Sequence, residues 1–159
     1  MLTSKLRRLL KEEKVPYEIV THAPGFSSQE IAATEHISGK EIAKVVMVNI
    51  EGEDVMMVIP ANRVLDLLKL SAAFGTDDIR IEDEKEFADL FRDCEIGAMP
   101  PVGRLYDIPC YVDRSMFEKG EVCFNGGNHR ESVKMSAEDF RRIADAEIGD
   151  FAVESGVMA

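Results

Sequence analysis

No segment of this chain approaches the roughly 20 consecutive apolar residues that a membrane-spanning helix requires, so a helical membrane protein is not expected. The opening residues, Met1 to Arg8, carry charge with no apolar run or small-residue cleavage site behind them, so the expected location is the cytoplasm. Cysteine is scarce. Cys94, Cys110 and Cys123 are odd in number and widely spaced, without a Cys-x-x-Cys pair. Reduced, mostly buried thiols are expected rather than a disulfide framework. The three histidines, His22, His36 and His129, lie far apart, and no Cys/His spacing suggests a metal site, so neither a metal nor a cofactor is expected. Glycine-rich nucleotide loops, zinc-protease and serine-hydrolase motifs are all missing. Positive charge is also in deficit. With 19 Lys and Arg against 30 Asp and Glu, the net charge is −11, which argues against non-specific nucleic-acid binding and against DNA as a partner. A local basic site on an acidic body stays open.

What remains is a chain of 159 residues, 45% hydrophobic, which suits one domain with a substantial core. Leucines at helical spacing predict a basic amphipathic helix over 2–14, ended by Pro16. Short strands are expected at 17–20, 79–81, 110–113, 121–124 and 131–135. A hairpin is expected from 43–50 and 55–59 around a polar turn. Helices are predicted over 28–36 behind a Ser27/Glu30 capping box, from Asn62 through Leu70, from Asp83 to Phe91, and from Ser136 to about Ala146. The core should run from about 15 to 146, with a frayed tail over 147–159. Hairpins and single helices interleave without a βαβ repeat, which predicts α+β with a mixed sheet.

A few residues stand out chemically. Lys44 shares a side-chain row with Val46, Val48 and Ile50 on an apolar strand. It either reaches water from the strand end or lines a pocket, where it could hold an anion or a developing oxyanion. Gly97, Met99, Pro100 and Pro101 form a stiff glycine–proline loop, either a plain connection or a pocket wall. Asn125-Gly126-Gly127-Asn128-His129 reads as a tight hairpin turn. Its glycines could also free a run of backbone N–H groups for an oxyanion or phosphate. His22 and Asp113 sit at loop and strand ends. The acidic stretch from Asp77 to Glu95 reads as a solvated face.

In order along the chain, these segments resemble the YbaK/prolyl-tRNA synthetase-associated domain family. The resemblance runs from Val15 to about Ile143. It is carried by Y-E-I-V-x-H-x-P at 17–24, S-x-Q-E-I-A at 27–32, A-K-V-V-M-V at 43–48 and V-I-P-A at 58–61. It continues with C-E-I-G-A-M-P-P-V-G at 94–103, Y-V-D at 111–113 and F-N-G-G-N-H at 124–129. The chain departs from many relatives at Asn128, where they carry threonine, and at Arg104, where they carry asparagine or a small residue. The resemblance implies a single domain with a curved mixed sheet flanked by helices. It also implies hydrolysis, in trans, of the ester of a mischarged tRNA, typically alanine or cysteine on tRNA for proline, with neither metal nor covalent intermediate. Carried over residue by residue, Lys44 and His129 become the catalytic positions. His22, Gly97, Met99, Pro100, Pro101, Asp113, Gly126, Gly127 and Asn128 become the substrate-binding ones. The acceptor end of aminoacyl-tRNA is the implied partner, with a prolyl-tRNA synthetase as a second. The competing readings are a non-catalytic module that binds an aminoacyl-like ligand or a synthetase, and a hydrolase of another activated acyl compound.

Overall fold

The computed structural model describes residues 1–21 and 40–155. The predicted helix over 28–36, its capping box and His22 lie outside the described residues. The chain opens with α1 (Ser4–Glu12), capped by Thr3, whose hydroxyl oxygen accepts from the Leu6 backbone N–H. Leu6, Leu9 and Leu10 of α1 are buried, each contributing about 1.5–3 kcal/mol of apolar transfer. Next come β1 (Glu18–Thr21), β2 (Ala43–Ile50) and β3 (Glu53–Pro60). The last two form the expected hairpin, in register from Ala43 opposite Pro60 to Ile50 opposite Glu53.

The segment after β3 differs from its prediction. Asn62 caps no helix. Arg63–Leu65 form β4, and the helix, α2 (Leu67–Phe74), starts one step later behind Asp66, whose carboxylate accepts from the N–H groups of Leu68 and Lys69. The physical reason is that Val64 finds a strand partner in Val153, a pairing too distant in sequence for helical spacing to reveal. Beyond β5 (Ile79–Ile81), Asp83 and Glu86 form the expected capping box of the one-turn α3 (Glu84–Phe87), which tightens into a 3-10 turn at Ala88–Phe91. Further 3-10 turns at Gly103–Tyr106 and Arg114–Phe117 flank β6 (Cys110–Asp113). The chain continues through β7 (Glu121–Asn125), β8 (Glu131–Ser136) and α4 (Ala137–Ala144) to β9 (Glu147–Gly149) and β10 (Ala152–Glu154). Residues 147–154 are therefore paired strands rather than a frayed tail.

The result is the mixed α+β architecture with helices against curved sheets. A five-stranded sheet runs β5-β2-β3-β6-β9, with β6 and β9 parallel to their neighbours. A three-stranded antiparallel sheet runs β1-β8-β7, and β10 pairs with β4. An isolated parallel bridge between Ile42 and Cys123 ties the first two sheets together. The main core lies between them and takes in Leu6, Leu10, Met56, Met116, Phe124 and Phe140. A smaller cluster of Val48, Ile50, Met57, Leu70 and Phe151 packs on the other face of β2 and β3. No helix among the described residues is long and apolar enough to cross a membrane.

Candidate active site

The glycine–proline loop and the glycine turn, far apart in sequence, meet in the fold. The Glu95 N–H donates to the Gly127 carbonyl at 2.8 Å, and the Gly127 N–H donates to the Ala98 carbonyl at 2.9 Å. The Glu95 carboxylate accepts from the His129 N–H at 3.1 Å, while His129 Nε2 donates to the Ile96 carbonyl at 2.8 Å. Gly97, at φ +86°, adopts a conformation that disfavours side chains, and a Cβ there would lie 3.5 Å from the imidazole Cε1. Glu95, read from sequence as part of a solvated acidic face, is the brace of this junction. Its position directly ahead of the glycine–proline loop is the signal that could have marked it.

The glycine turn itself faces protein. A Cβ on Gly126 would come within 2.2 Å of Leu2 Cδ2, and one on Gly127 within 2.2 Å of Thr3 Cγ2. The N–H groups expected to be free are taken, Gly126 by the Glu131 carbonyl and Gly127 by Ala98. These glycines admit the N-terminal segment, whose Thr3 N–H donates to the Gly126 carbonyl at 3.0 Å. Asn128 shapes the turn. Its Oδ1 accepts from the N–H groups of Arg130 and Glu131, and its Nδ2 donates to the Met1 carbonyl and to Glu131.

Asp113 is interior, 1% exposed. Its carboxylate accepts from the Ser115 N–H and hydroxyl, from Phe151 N–H at 2.7 Å and from Ala152 N–H at 2.9 Å. It ends β6, caps the following 3-10 turn and pins the C-terminal strands, which leaves it no capacity for a substrate. Met99, Pro100 and Pro101 are buried as well, Met99 in the main core, so the stiff part of the loop is anchored inward.

Lys44 sits half-buried on β2, opposite Ile59 of β3. Burial holds its ammonium below the ordinary lysine range. Its row continues into Val48 and Ile50 of the smaller cluster, whereas the loop residues Met99 and Val102 belong to the main core. No hydrogen bond or ion pair joins Lys44 to either loop among the described residues. The Ile42–Cys123 bridge nevertheless brings their strands together. Because the bridge is parallel, β2 leaves it toward Lys44 as β7 leaves it toward Asn125 and the glycine turn.

A cleft of about 820 Å³ opens beside the two-loop junction. Its walls include Thr21, Arg92, Cys94, Glu95, Gly127, Asn128 and Arg130. The Cys94 thiol on its wall is pushed up to about 12 by burial and by the neighbouring Asp93 carboxylate, with its hydrogen-bonded partner Tyr106 opposing the rise. Burial likewise pushes Cys110 up to about 11, and Cys123 is buried. The thiols of Cys94 and Cys110 are therefore held in the protonated form near neutrality, which disfavours them as acyl-enzyme nucleophiles.

Comparison with known proteins bears on what this geometry serves. The aminoacyl-tRNA editing domain family matches residues 22–143. The multifunctional Ser/Thr-tRNA deacylase ProXp-y of Escherichia coli K12 is 25% identical, the alignment covering 92% of this chain and 90% of that protein. A proline–tRNA ligase of Staphylococcus saprophyticus is 30% identical across 81% of this chain, which corresponds to 21% of the ligase. Among solved structures, the hypothetical protein APE2540 superposes with a TM-score of 0.83 at 22% identity, over 94% of this chain and all of its own. A proposed trans-editing enzyme for prolyl tRNA synthetase superposes with a TM-score of 0.80 at 20% identity, over 96% of each chain. These two likenesses show the fold, and the family match extends over most of the residues that build the junction and the cleft. The chain belongs to the aminoacyl-tRNA editing domain family, as an aminoacyl-tRNA deacylase of the YbaK type.

Proposed function

We propose that this deacylase works in trans in the cytoplasm, removing a small, wrong amino acid from tRNA for proline, with alanine and cysteine as the leading candidates. The observation that carries the reading is the hydrogen-bonded junction of the glycine–proline loop with the His129 turn. An editing site must turn away the larger, correct residue, and one methylene discriminates by only about 1–3 kcal/mol in an apolar pocket. Rejection by overlap needs walls that do not yield. The backbone bonds at Glu95 and Gly127 and the inward anchoring of Pro100 and Pro101 supply such a wall.

The ester of an aminoacyl-tRNA is already activated, so positioning and charge stabilisation suffice without a covalent step. The raised thiols favour that route. Lys44 would hold the carbonyl or the ribose–phosphate end, and His129, held by Ile96, would orient the ester. Water, or the substrate's own ribose hydroxyl as base, would complete the hydrolysis. Gly97, and His22 from the segment after Thr21, would complete the pocket. A prolyl-tRNA synthetase is a natural partner in such a cycle. The E. coli relative's name adds serine and threonine to the substrates worth testing.

The test is a turnover assay on tRNA for proline charged separately with alanine, cysteine, serine, threonine and proline. Multiple-turnover release of a small amino acid, with the prolyl ester spared, is expected. Tight binding without release would establish the binding-module reading instead.

A further inference from the structure

We propose that the outward face of α1 is the docking surface for the tRNA acceptor stem, gripping its phosphate backbone while the 3′ end enters the cleft. This rests on the aminoacyl-tRNA deacylase reading above and adds the surface that recognises the nucleic acid. The first observation is charge placement. On a chain of net charge −11, Lys5, Arg7, Arg8, Lys11 and Lys14 cluster on and just beyond one nine-residue helix, and all five are exposed. None takes part in the ion pairs found among the described residues, whereas Arg63, Lys69, Arg80, Arg104, Arg114, Lys134 and Arg142 all do. Glu13, at the end of the helix, is occupied by Arg104 at 3.3 Å and Arg142 at 3.6 Å, which leaves the exposed Glu12 as the one acidic side chain of α1 against five cations.

The second observation is that this arrangement works against the helix. Its first turn has no acidic residue and carries Lys5 instead, against the helix dipole. Arg7 with Lys11 at four-residue spacing, and Lys5 with Arg8 and Arg8 with Lys11 at three-residue spacing, place like charges side by side, which weakens a helix rather than supporting it. A polyanion that needs these charges supplies the reason for them.

The third is position. Thr3, the cap of α1, packs on Gly127, and Gly127, Arg92 and Arg130 line the cleft. Arg92 and Arg130 are exposed and also outside the ion pairs, and they stand on the cleft wall among Asp93, Glu95 and Glu131, the last of these paired with the Met1 amino group, so cationic side chains are present both at the cleft and on the helix that packs against its glycine turn. A basic amphipathic helix elsewhere can lie on a lipid surface. Here the apolar side, Leu6, Leu9 and Leu10, is buried in the core, so only the charged face remains to bind. A-form RNA is recognised largely through its backbone and shape, which suits a charged helix of about 13 Å.

The experiment compares wild-type protein with Arg8→Glu/Lys11→Glu on two substrates, the charged tRNA turned over fastest in the panel above and the same amino acid on a CCA trinucleotide. On tRNA, KM should rise roughly tenfold with kcat unchanged. The dependence of log KM on log salt should flatten by about one unit for each phosphate no longer neutralised. Hydrolysis of the trinucleotide should match wild type, and Arg8→Lys/Lys11→Arg should restore KM. An equal loss on both substrates would assign the helix to the integrity of the site and overturn docking. An unchanged KM and salt slope on tRNA, or a defect seen only when prolyl-tRNA synthetase is added, would overturn it too. A wild-type protein inert on every charged tRNA and on the trinucleotide would overturn the deacylase reading, and docking with it.

Discussion

At the scale of single residues, chemistry and structure pull Lys44 and Asp113 in opposite directions. Both are charged residues on central strands. Asp113 accepts three backbone N–H groups and a hydroxyl, so its burial is compensated. Lys44 has no such compensation among the described residues and bears a desolvation cost, seen in its lowered pKa. Such a cost on a strand otherwise rich in valine supports the ligand-holding role proposed for Lys44 above. Lys44→Met keeps the length and removes the charge. Deacylation should fall by about 10²-fold, the size of loss seen when one charge-stabilising donor is removed, while the melting temperature holds or rises. Wild-type turnover by this variant would remove Lys44 from the mechanism. A large drop in melting temperature would show instead that its ammonium is structurally compensated.

Among elements, the glycine turn and the N-terminal segment act as one unit. Gly126 has no Cβ because Leu2 occupies that space, and Leu2 is itself 3% exposed, with little room to retreat. Gly126→Ala should therefore destabilise the fold by about 1–3 kcal/mol, the range for overpacking. Gly126→Ala and Leu2→Ala should be coupled in a double-mutant cycle by about 1 kcal/mol or more, measured by denaturant unfolding. Additive effects would mean that the turn tolerates a methyl group without touching Leu2. The same unit shows what was legible beforehand. The hairpin of β2 and β3 and the Asp83 cap could be read from composition and spacing. The occupant of the glycine turn could not, because the partner lies at the other end of the chain and nothing local in Asn125–His129 distinguishes a glycine opened for a ligand from one opened for a leucine. Asp113 misled for the same reason: its partners at Phe151 and Ala152 fall in a segment whose strands are too short to show a pattern. Lys44 and His129 stood out by residue type, whereas Glu95 acts through its backbone as much as its carboxylate and was hidden in an acidic run.

For the whole molecule, the excess of acid concentrates a titration problem at one place. Glu82, just beyond β5, is 6% exposed, with one carboxyl oxygen accepting from Asn49 Nδ2 at 3.3 Å and the other without a partner among the described residues. The nearby cation does not help it, since Arg80 pairs with Glu86 at 2.7 Å. Burial first, then the neighbouring Asp54 carboxylate, push Glu82 from its ordinary 4.5 up to about 7, against the opposing bond from Asn49. The folded state therefore retains a proton there that the unfolded chain releases. By linkage, the stability this group contributes is fully present below about 4.5 and is lost as the pH rises through about 7. General repulsion also grows over that interval on a chain with a pI near 4.7, so the wild-type curve alone would not isolate Glu82. Glu82→Gln does, because it keeps a hydrogen-bonding side chain of the same shape and removes the ionisation. Urea unfolding midpoints of the two proteins should nearly coincide at pH 5 and separate by pH 8, with the glutamine variant the more stable. A separation that shrinks toward pH 8, or that is constant across the range, would show that Glu82 ionises in the folded state as freely as in the unfolded one.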